Sequence, residues 1–223
     1  MTIESQGQPV ERGLPRGRHH LSRDAINASQ RERLLEAIIG LVAADGYAAT
    51  SVADVISRAG VSRKTFYEHF ADKQACFLAA FDEAVGDIAV AVITAVESQE
   101  HRDRRILDGY QALCDALAAR PAFARIYLIR APEAGEALHR RRAHIRAANV
   151  SNLQTMTAAG RKRHPDLPPE LPEAAAQAIV GAVETLLAVH IERYGAESLS
   201  ALAPTLAGVA DALFLADIPE PGA

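Results

Sequence analysis

The chain has 223 residues, 49% of them hydrophobic and 23% charged, with two cysteines and a formal net charge of -4. That length suffices for one large domain or two small ones around a real core, while the acidic balance excludes a generally basic coat for nucleic acid. Cys76 and Cys114 stand apart with no CxxC or histidine spacing around them, which argues for buried thiols and against a disulfide scaffold or a zinc site.

Residues 1–28 are rich in Gly, Pro, Arg and His and read as a flexible arm. Arg12, Arg16, Arg18 and Arg23 lie there in a stretch without acids, so this end is the less acidic one: residues 1–73 hold ten Lys/Arg against nine Asp/Glu, the remainder fourteen against nineteen. Ser29 with Glu32 forms a capping-box pattern for a first helix that buries Leu34, Leu35, Ile38, Ile39, Leu41 and Val42 and stops at Gly46. Ser51 with Asp54 repeats the pattern for a second helix with Val52, Val55 and Ile56 inward, ended by Gly60 in the left-handed conformation. Ser62 caps a third helix whose Phe66 and Phe70 face the core, and Asp72 caps a fourth that runs from Lys73 into the nineties.

Further helices are expected at 103–119, from Pro121 to Pro132, at 134–161, at 173–194 and at 200–215, with a proline-rich break between the third and fourth of these. The expected fold is all-α with about nine helices, no strand and no repeat. No secretory signal pattern opens the chain, and no stretch approaches the roughly 20 apolar residues of a membrane span. A cytoplasmic protein without membrane contact is the expectation.

Residues 50–73 carry the chemistry. With the phenylalanines fixing the third helix against the second, Arg63, Lys64, Thr65, Tyr67 and Glu68 are left outward, and a donor-rich helix end suits the acceptor-rich major groove. Thr50 and Ser51 lie at a helix N-terminus able to hold a phosphate, and Ser62, His69 and Lys73 join them as DNA contacts, Tyr67 and His69 to phosphate rather than base. A merely solvated face, with Lys64 and Glu68 as a surface pair, is the bland alternative for any one residue; the combined spacing speaks against it.

The segment Gly-Val-Ser-Arg-Lys-Thr-Phe-Tyr-Glu-His-Phe-Ala-Asp-Lys resembles the recognition segment of the TetR family of bacterial transcriptional regulators, and the upstream Asp-Gly-Tyr-Ala-Ala-Thr-Ser-Val-Ala-Asp-Val resembles the same family's junction of helices one and two. The likeness covers about residues 29–80. Phe66 departs conservatively from the commoner leucine. The resemblance implies a homodimer, a helix-turn-helix domain at 29–73, and a divergent helical domain at 74–223 for effector binding and dimerisation. The positions matching the family's usual DNA contacts are Ser51, Arg63, Lys64, Thr65, Tyr67, His69 and Lys73.

The arm is expected to track the minor groove through Arg16, Arg18 and Arg23, or else to raise non-specific affinity by counterion release. In the helical half the resemblance implies a ligand cavity, for which Tyr110, Cys114, Phe123, Tyr127, Asn149 and Asn152 are the inward polar and aromatic choices. His139, Arg140, Arg141, Arg142, His144 and Arg146 read as a solvated face, with an anionic-ligand site as the alternative. Stripes of Ile179, Val183, Leu186 and Leu187, then Val209 and Leu213, suit a four-helix dimer interface and equally an internal core. No GxSxG, HExxH or glycine-rich phosphate loop occurs, and His19-His20 has no partner spaced for a metal, so neither an enzyme nor a cofactor is expected. The expected function is a ligand-responsive regulator, a repressor on a palindromic double-stranded operator released by a small-molecule effector; a non-specific architectural DNA binder is the alternative.

Overall fold

The computed structural model describes residues 22–98, 102–130, 135–162, 166, 169–216 and 218. Within them the fold is all-α. Its helices are α1 (Arg23–Asp45), α2 (Val52–Ala59), α3 (Arg63–His69), α4 (Lys73–Glu97), α5 (Arg102–Ala118), α6 (Pro121–Arg125), α7 (Glu136–Arg161), α8 (Glu173–Tyr194) and α9 (Ala203–Leu215). A π-helical turn, Ile126–Arg130, continues α6, and a 3-10 segment, Ala196–Leu202, leads into α9.

The first four helices follow the caps read from the sequence. Ser51 and Asp54 form the complete reciprocal box at the start of α2, Gly60 ends that helix at φ 63°, and the side chains of Ser62 and Asp72 accept from the Thr65 and Ala75 N–H groups. Leu34, Ile38 and Val42 of α1, Val55 of α2 and Phe66 of α3 are buried together. α4 belongs to both halves: Cys76 and Phe77 close the N-terminal bundle, while Phe81 and Ile88 enter the core of the remaining helices. Beyond α4, α5 packs on α4 and α9, and α8 packs on α7 and α9.

Several boundaries differ from expectation. α1 begins at Arg23, because the Ser22 hydroxyl accepts from the Ala25 N–H at 3.1 Å; Ser29 and Glu32 therefore lie inside the helix. Arg23 belongs to that helix, exposed in its first turn, and Arg16 and Arg18 lie outside the described residues. The α-helix expected from Pro121 to Pro132 gives way to the wider π turn at Ile126. Near the C-terminus, Gly195 at φ 87° stops α8, the chain takes 3-10 form, and Pro204 sits in the first turn of α9, where its missing N–H costs nothing.

Two segments, Glu173–Tyr194 and Ala196–Leu215, are long and apolar enough to cross a membrane by length and composition, contrary to the expectation that none would be. Their many alanines raise mean hydropathy without long leucine runs. Here they pack against each other and bury Ile179, Val183, Leu187, Leu206 and Phe214.

Candidate DNA interface and ligand site

α3 is a seven-residue helix, too short to be stable alone, so its neighbours must hold it. Phe66 is fully buried, and Phe70 packs 5.9 Å from it between ring centroids. Arg31 of α1 lies over the Phe70 ring at 5.8 Å and pairs with Glu83 of α4, tying the end of α3 to both long helices. The face opposite Phe66 is free to solvent: Arg63, Lys64 and Tyr67 are exposed, and Tyr67 rests edge-on against Phe66 at 5.3 Å. Lys64 and Glu68 approach to 3.7 Å with both side chains largely exposed. Such a pair contributes about 0.3–0.5 kcal/mol, so it can open towards a phosphate or base edge at little cost.

The other residues expected at the interface have structural roles. Thr50 is buried and donates its hydroxyl to the Gly46 carbonyl at 2.9 Å, which closes the α1–α2 turn and removes its side chain from the surface. Ser51 is exposed, yet its N–H and hydroxyl both donate to Asp54 Oδ2, at 2.9 and 2.6 Å. A carboxylate thus already occupies the N-terminus of α2. The hydroxyl and N–H of Ser51 hold the Asp54 carboxyl below its usual range. Ser62 and Thr65 hydroxyls lie 2.9 Å apart within the α3 cap. His69 is half-buried beside Phe70. Lys73, expected to hold a phosphate, directs its ammonium inward to the Tyr47 and Thr50 carbonyls, at 2.8 and 2.6 Å, and sits 4.2 Å over the Tyr47 ring. The structure therefore collects Arg63, Lys64 and Tyr67 on one open face and uses Thr50, Ser51, Ser62 and Lys73 to brace it.

The helical half holds a second constellation. Phe81, Phe123 and Tyr127 form a ring cluster with centroids 5.3–5.9 Å apart. At its polar edge Tyr127 lies on the π turn, its hydroxyl 3.5 Å from Glu184 Oε1 of α8. Arg146 of α7 pairs directly with Glu184, and Arg142 approaches the same carboxylate to 3.9 Å while lying 5.1 Å over the Tyr127 ring. Burial, then the Glu184 charge, pushes the Tyr127 hydroxyl up to about 12, so it stays a neutral donor.

The sequence reading named Tyr127 and the two arginines separately, without placing them together. Arg142 and Arg146 belonged to a basic run read as a solvated face, with an anionic-ligand site as the alternative; Arg142 is half-buried, while Arg146 is exposed and so is Arg141, which reaches Asp82 of α4 at 2.5 Å. Only Arg140 keeps a local exposed pair, with Glu136, while His139 and His144 are exposed. The residue missed was Glu184, the sole acidic side chain between Glu173 and Glu192 on an apolar helix.

Of the expected ligand residues, Cys114 and Phe123 are buried, and Tyr110 and Tyr127 are half-buried against the core. Burial raises the Cys76, Cys114 and Tyr110 groups to about 12 each. Asn149 and Asn152 are exposed, a correction: the inward line of α7 runs through Leu138, Arg142, Val150, Leu153 and Thr157, and the two asparagines fall beside it.

The expected dimer stripe is also redistributed. Ile179, Val183 and Leu187 are buried within the single chain, Leu186 and Leu213 pack half-buried on the same core, and Val209 is half-buried. What α8 and α9 leave open is narrower: Ala178, Thr185 and Val189 on one, and Thr205, Gly208, Ala212 and Leu215 on the other. A Cβ added at Gly181 or Gly208 would meet nothing within 4 Å.

A short donor-bearing helix presented by a three-helix bundle, with further helices carried on the shared α4, is a helix-turn-helix arrangement. Residues 34–80 match the family model described as bacterial regulatory proteins, tetR family. The chain is 28% identical over 114 residues to the HTH-type transcriptional activator FasR of Mycolicibacterium smegmatis, covering 51% of this chain and 50% of that one. It spans half or less of the length of the curated relatives it matches. Among solved structures, the fatty acid degradation regulator FadR of Bacillus halodurans superposes with a TM-score of 0.72 at 16% identity, over 86% of this chain and 97% of that one. FadR of Bacillus subtilis, solved in complex with stearoyl-CoA, gives 0.68 at 17% identity, over 84% and 99%. Residues 34–80 thus match the tetR-family regulatory segment, and the described fold is that of these solved regulators.

Proposed function

We propose that the protein is a ligand-responsive repressor that binds a palindromic operator as a homodimer and leaves it when a small molecule binds the helical domain. The observation that carries this reading is the open face of α3, where Arg63, Lys64 and Tyr67 are exposed while Phe66 and Phe70 lock the helix below them. In a dimer two such helices would enter successive major grooves about 34–36 Å apart. Each half-site alone offers few contacts, and tethering two raises affinity and specificity together.

For the dimer contact we favour the open stripes of α8 and α9, Ala178, Gly181, Thr185 and Val189 with Thr205, Gly208, Ala212 and Leu215, in place of the buried residues expected from the sequence. Small side chains there let two helix pairs approach closely as a four-helix bundle. On this reading the apolar composition of both helices serves a second copy of the chain, in the cytoplasm, and not a lipid phase. The stearoyl-CoA complex of a protein with this fold supports a small-molecule effector.

The test is selection of bound duplexes from a randomised pool by the full chain, followed by affinity measurement on the selected and a scrambled sequence. A palindrome bound at least about a hundredfold more tightly than the scramble is expected. Equal affinity for both at every salt concentration would replace the regulator with a non-specific architectural binder.

A further inference from the structure

We propose that Arg142, Arg146 and Tyr127 form the receptor for an anionic group of the effector, a carboxylate or a phosphate, and that Glu184 is an internal stand-in which this group displaces. The inference rests on the reading of the helical domain as an effector domain and adds the chemical class of the effector and the residues that take its charged end.

The charges in the cluster do not balance. Two guanidinium groups share one carboxylate: Arg146, which pairs directly with Glu184, is 55% exposed at its side chain, while Glu184 and Arg142 keep only 14% and 21%. Arg142 Nε is buried with no hydrogen-bond partner. A buried donor left unmade is costly, and a buried cation without its own counter-ion more so. The arrangement has the surplus positive charge and the spare planar donor of a site for one further anion, and arginine is the side chain suited to grip carboxylate or phosphate with two parallel bonds.

The surroundings indicate the rest of the ligand. Arg142 lies on one side of Tyr127, whose hydroxyl reaches Glu184 only at the long distance of 3.5 Å and so has donor capacity for a better-placed acceptor. Phe81 and Phe123 pack against the same ring, so an anion held here would have its apolar body beside aromatic side chains. The class is therefore an amphiphilic organic anion.

A route outward is also present. Tyr127 belongs to the π turn Ile126–Arg130, a rare geometry that recurs at functional sites. The turn packs on both α8 and α1, and its last residue, Arg130, donates to the Ala44 carbonyl at the C-terminal end of α1 at 3.4 Å. An anion that takes the arginines from Glu184 would loosen α7 from α8 and shift Tyr127, and with it the turn that holds the end of the first DNA-domain helix.

The test uses the full chain. Calorimetric titration with butyrate, hexanoate, decanoate and stearoyl-CoA, against the alcohols matching the three acids, should find at least one anion binding roughly tenfold or more tightly than its neutral counterpart. Stearate, titrated beside stearoyl-CoA, holds chain length constant: tighter binding of stearate assigns the group as a carboxylate, and tighter binding of stearoyl-CoA assigns it as a phosphate. Glu184→Gln removes the internal competitor and should tighten the anion about tenfold, whereas Arg142→Met should weaken it by a similar factor, with alcohols unmoved by either. A Glu184→Gln protein that does not fold leaves Arg142→Met and Arg146→Met, each expected to erase the preference of anion over alcohol. Absence of that preference in the wild type, or variants that shift anion and alcohol equally, would overturn the proposal. Operator affinity measured in the same samples separates the two readings: specific DNA binding without anion binding removes this inference alone, and no specific DNA binding removes the regulator itself.

Discussion

Replacing Lys73 by methionine separates a brace from a DNA contact. The ammonium donates to the Tyr47 carbonyl at 2.8 Å and the Thr50 carbonyl at 2.6 Å and lies 4.2 Å over the Tyr47 ring. Methionine keeps most of the stem and loses all three interactions. Each charge-assisted bond contributes on the order of 1 kcal/mol net, and the ring contact adds about 0.5–1. The loss is then about 2–3 kcal/mol, or roughly 4–12 °C in melting temperature for a chain of this size. A phosphate contact would behave differently. Removing it leaves the melting temperature alone and lowers the slope of log affinity against log salt by about 0.9. Differential scanning fluorimetry, with fluorescence anisotropy on the selected operator across a salt series, measures both quantities. A lower melting temperature with an unchanged salt slope is expected. A slope reduced by about 0.9 with an unchanged melting temperature would refute the brace and return Lys73 to the DNA surface.

Three further outcomes are expected. Arg63→Ala should cost about 1–3 kcal/mol on the operator and relax base preference, while Tyr67→Phe should weaken operator and scramble alike; a uniform effect of Arg63→Ala would make that arginine a backbone contact. Gly181→Arg and Gly208→Arg should fold, since a Cβ at either position meets nothing within 4 Å, yet should sediment as monomers; dimers of undiminished affinity would move the interface elsewhere. Asp54 has a carboxyl held below its ordinary 3.8, so the stability that its capping box adds is fully present above that value and is lost as pH falls through the depressed one. Asp54→Asn should accordingly lower the melting temperature at pH 7, with the gap to wild type closing below pH 3.8; a gap constant with pH would deny the carboxylate its role.

The DNA-binding half was legible because its signals are local. Ser51, Asp54, Gly60, Ser62 and Asp72 each act within three or four residues, and a cap fixes its helix wherever the rest of the chain lies. The start of α1 lies earlier than the Ser29 pattern indicated because Ser22 caps it, and how far a helix runs beyond its packed part is not written in one capping pattern. Roles that depend on direction were not legible. Lys73 has the same letter whether it points to phosphate or to the Thr50 carbonyl, and only the fold of the α1–α2 turn decides. The same holds for Ile179 and Val183, whose periodicity marks an apolar face without saying whether α9 or a second copy covers it.

These local and non-local features meet in one ladder of rings. Tyr47, under the Lys73 ammonium, packs 5.1 Å from Phe77; Phe77 packs 6.5 Å from Phe81; and Phe81 packs 5.8 Å from Tyr127, beside Glu184 and Arg142. Ion pairs run alongside it, with Asp82, Glu83 and Asp87 of α4 held by Arg141, Arg31 and Arg120 from three other parts of the chain. Those side chains are substantially exposed, so each pair adds little stability and is screened by salt. Close-packed aromatic rings behave differently, because a core cannot absorb a displaced ring without moving its neighbour. Of the two connections between the arginine-bound carboxylate and the turn that carries the reading helix, the rings are therefore the stiffer.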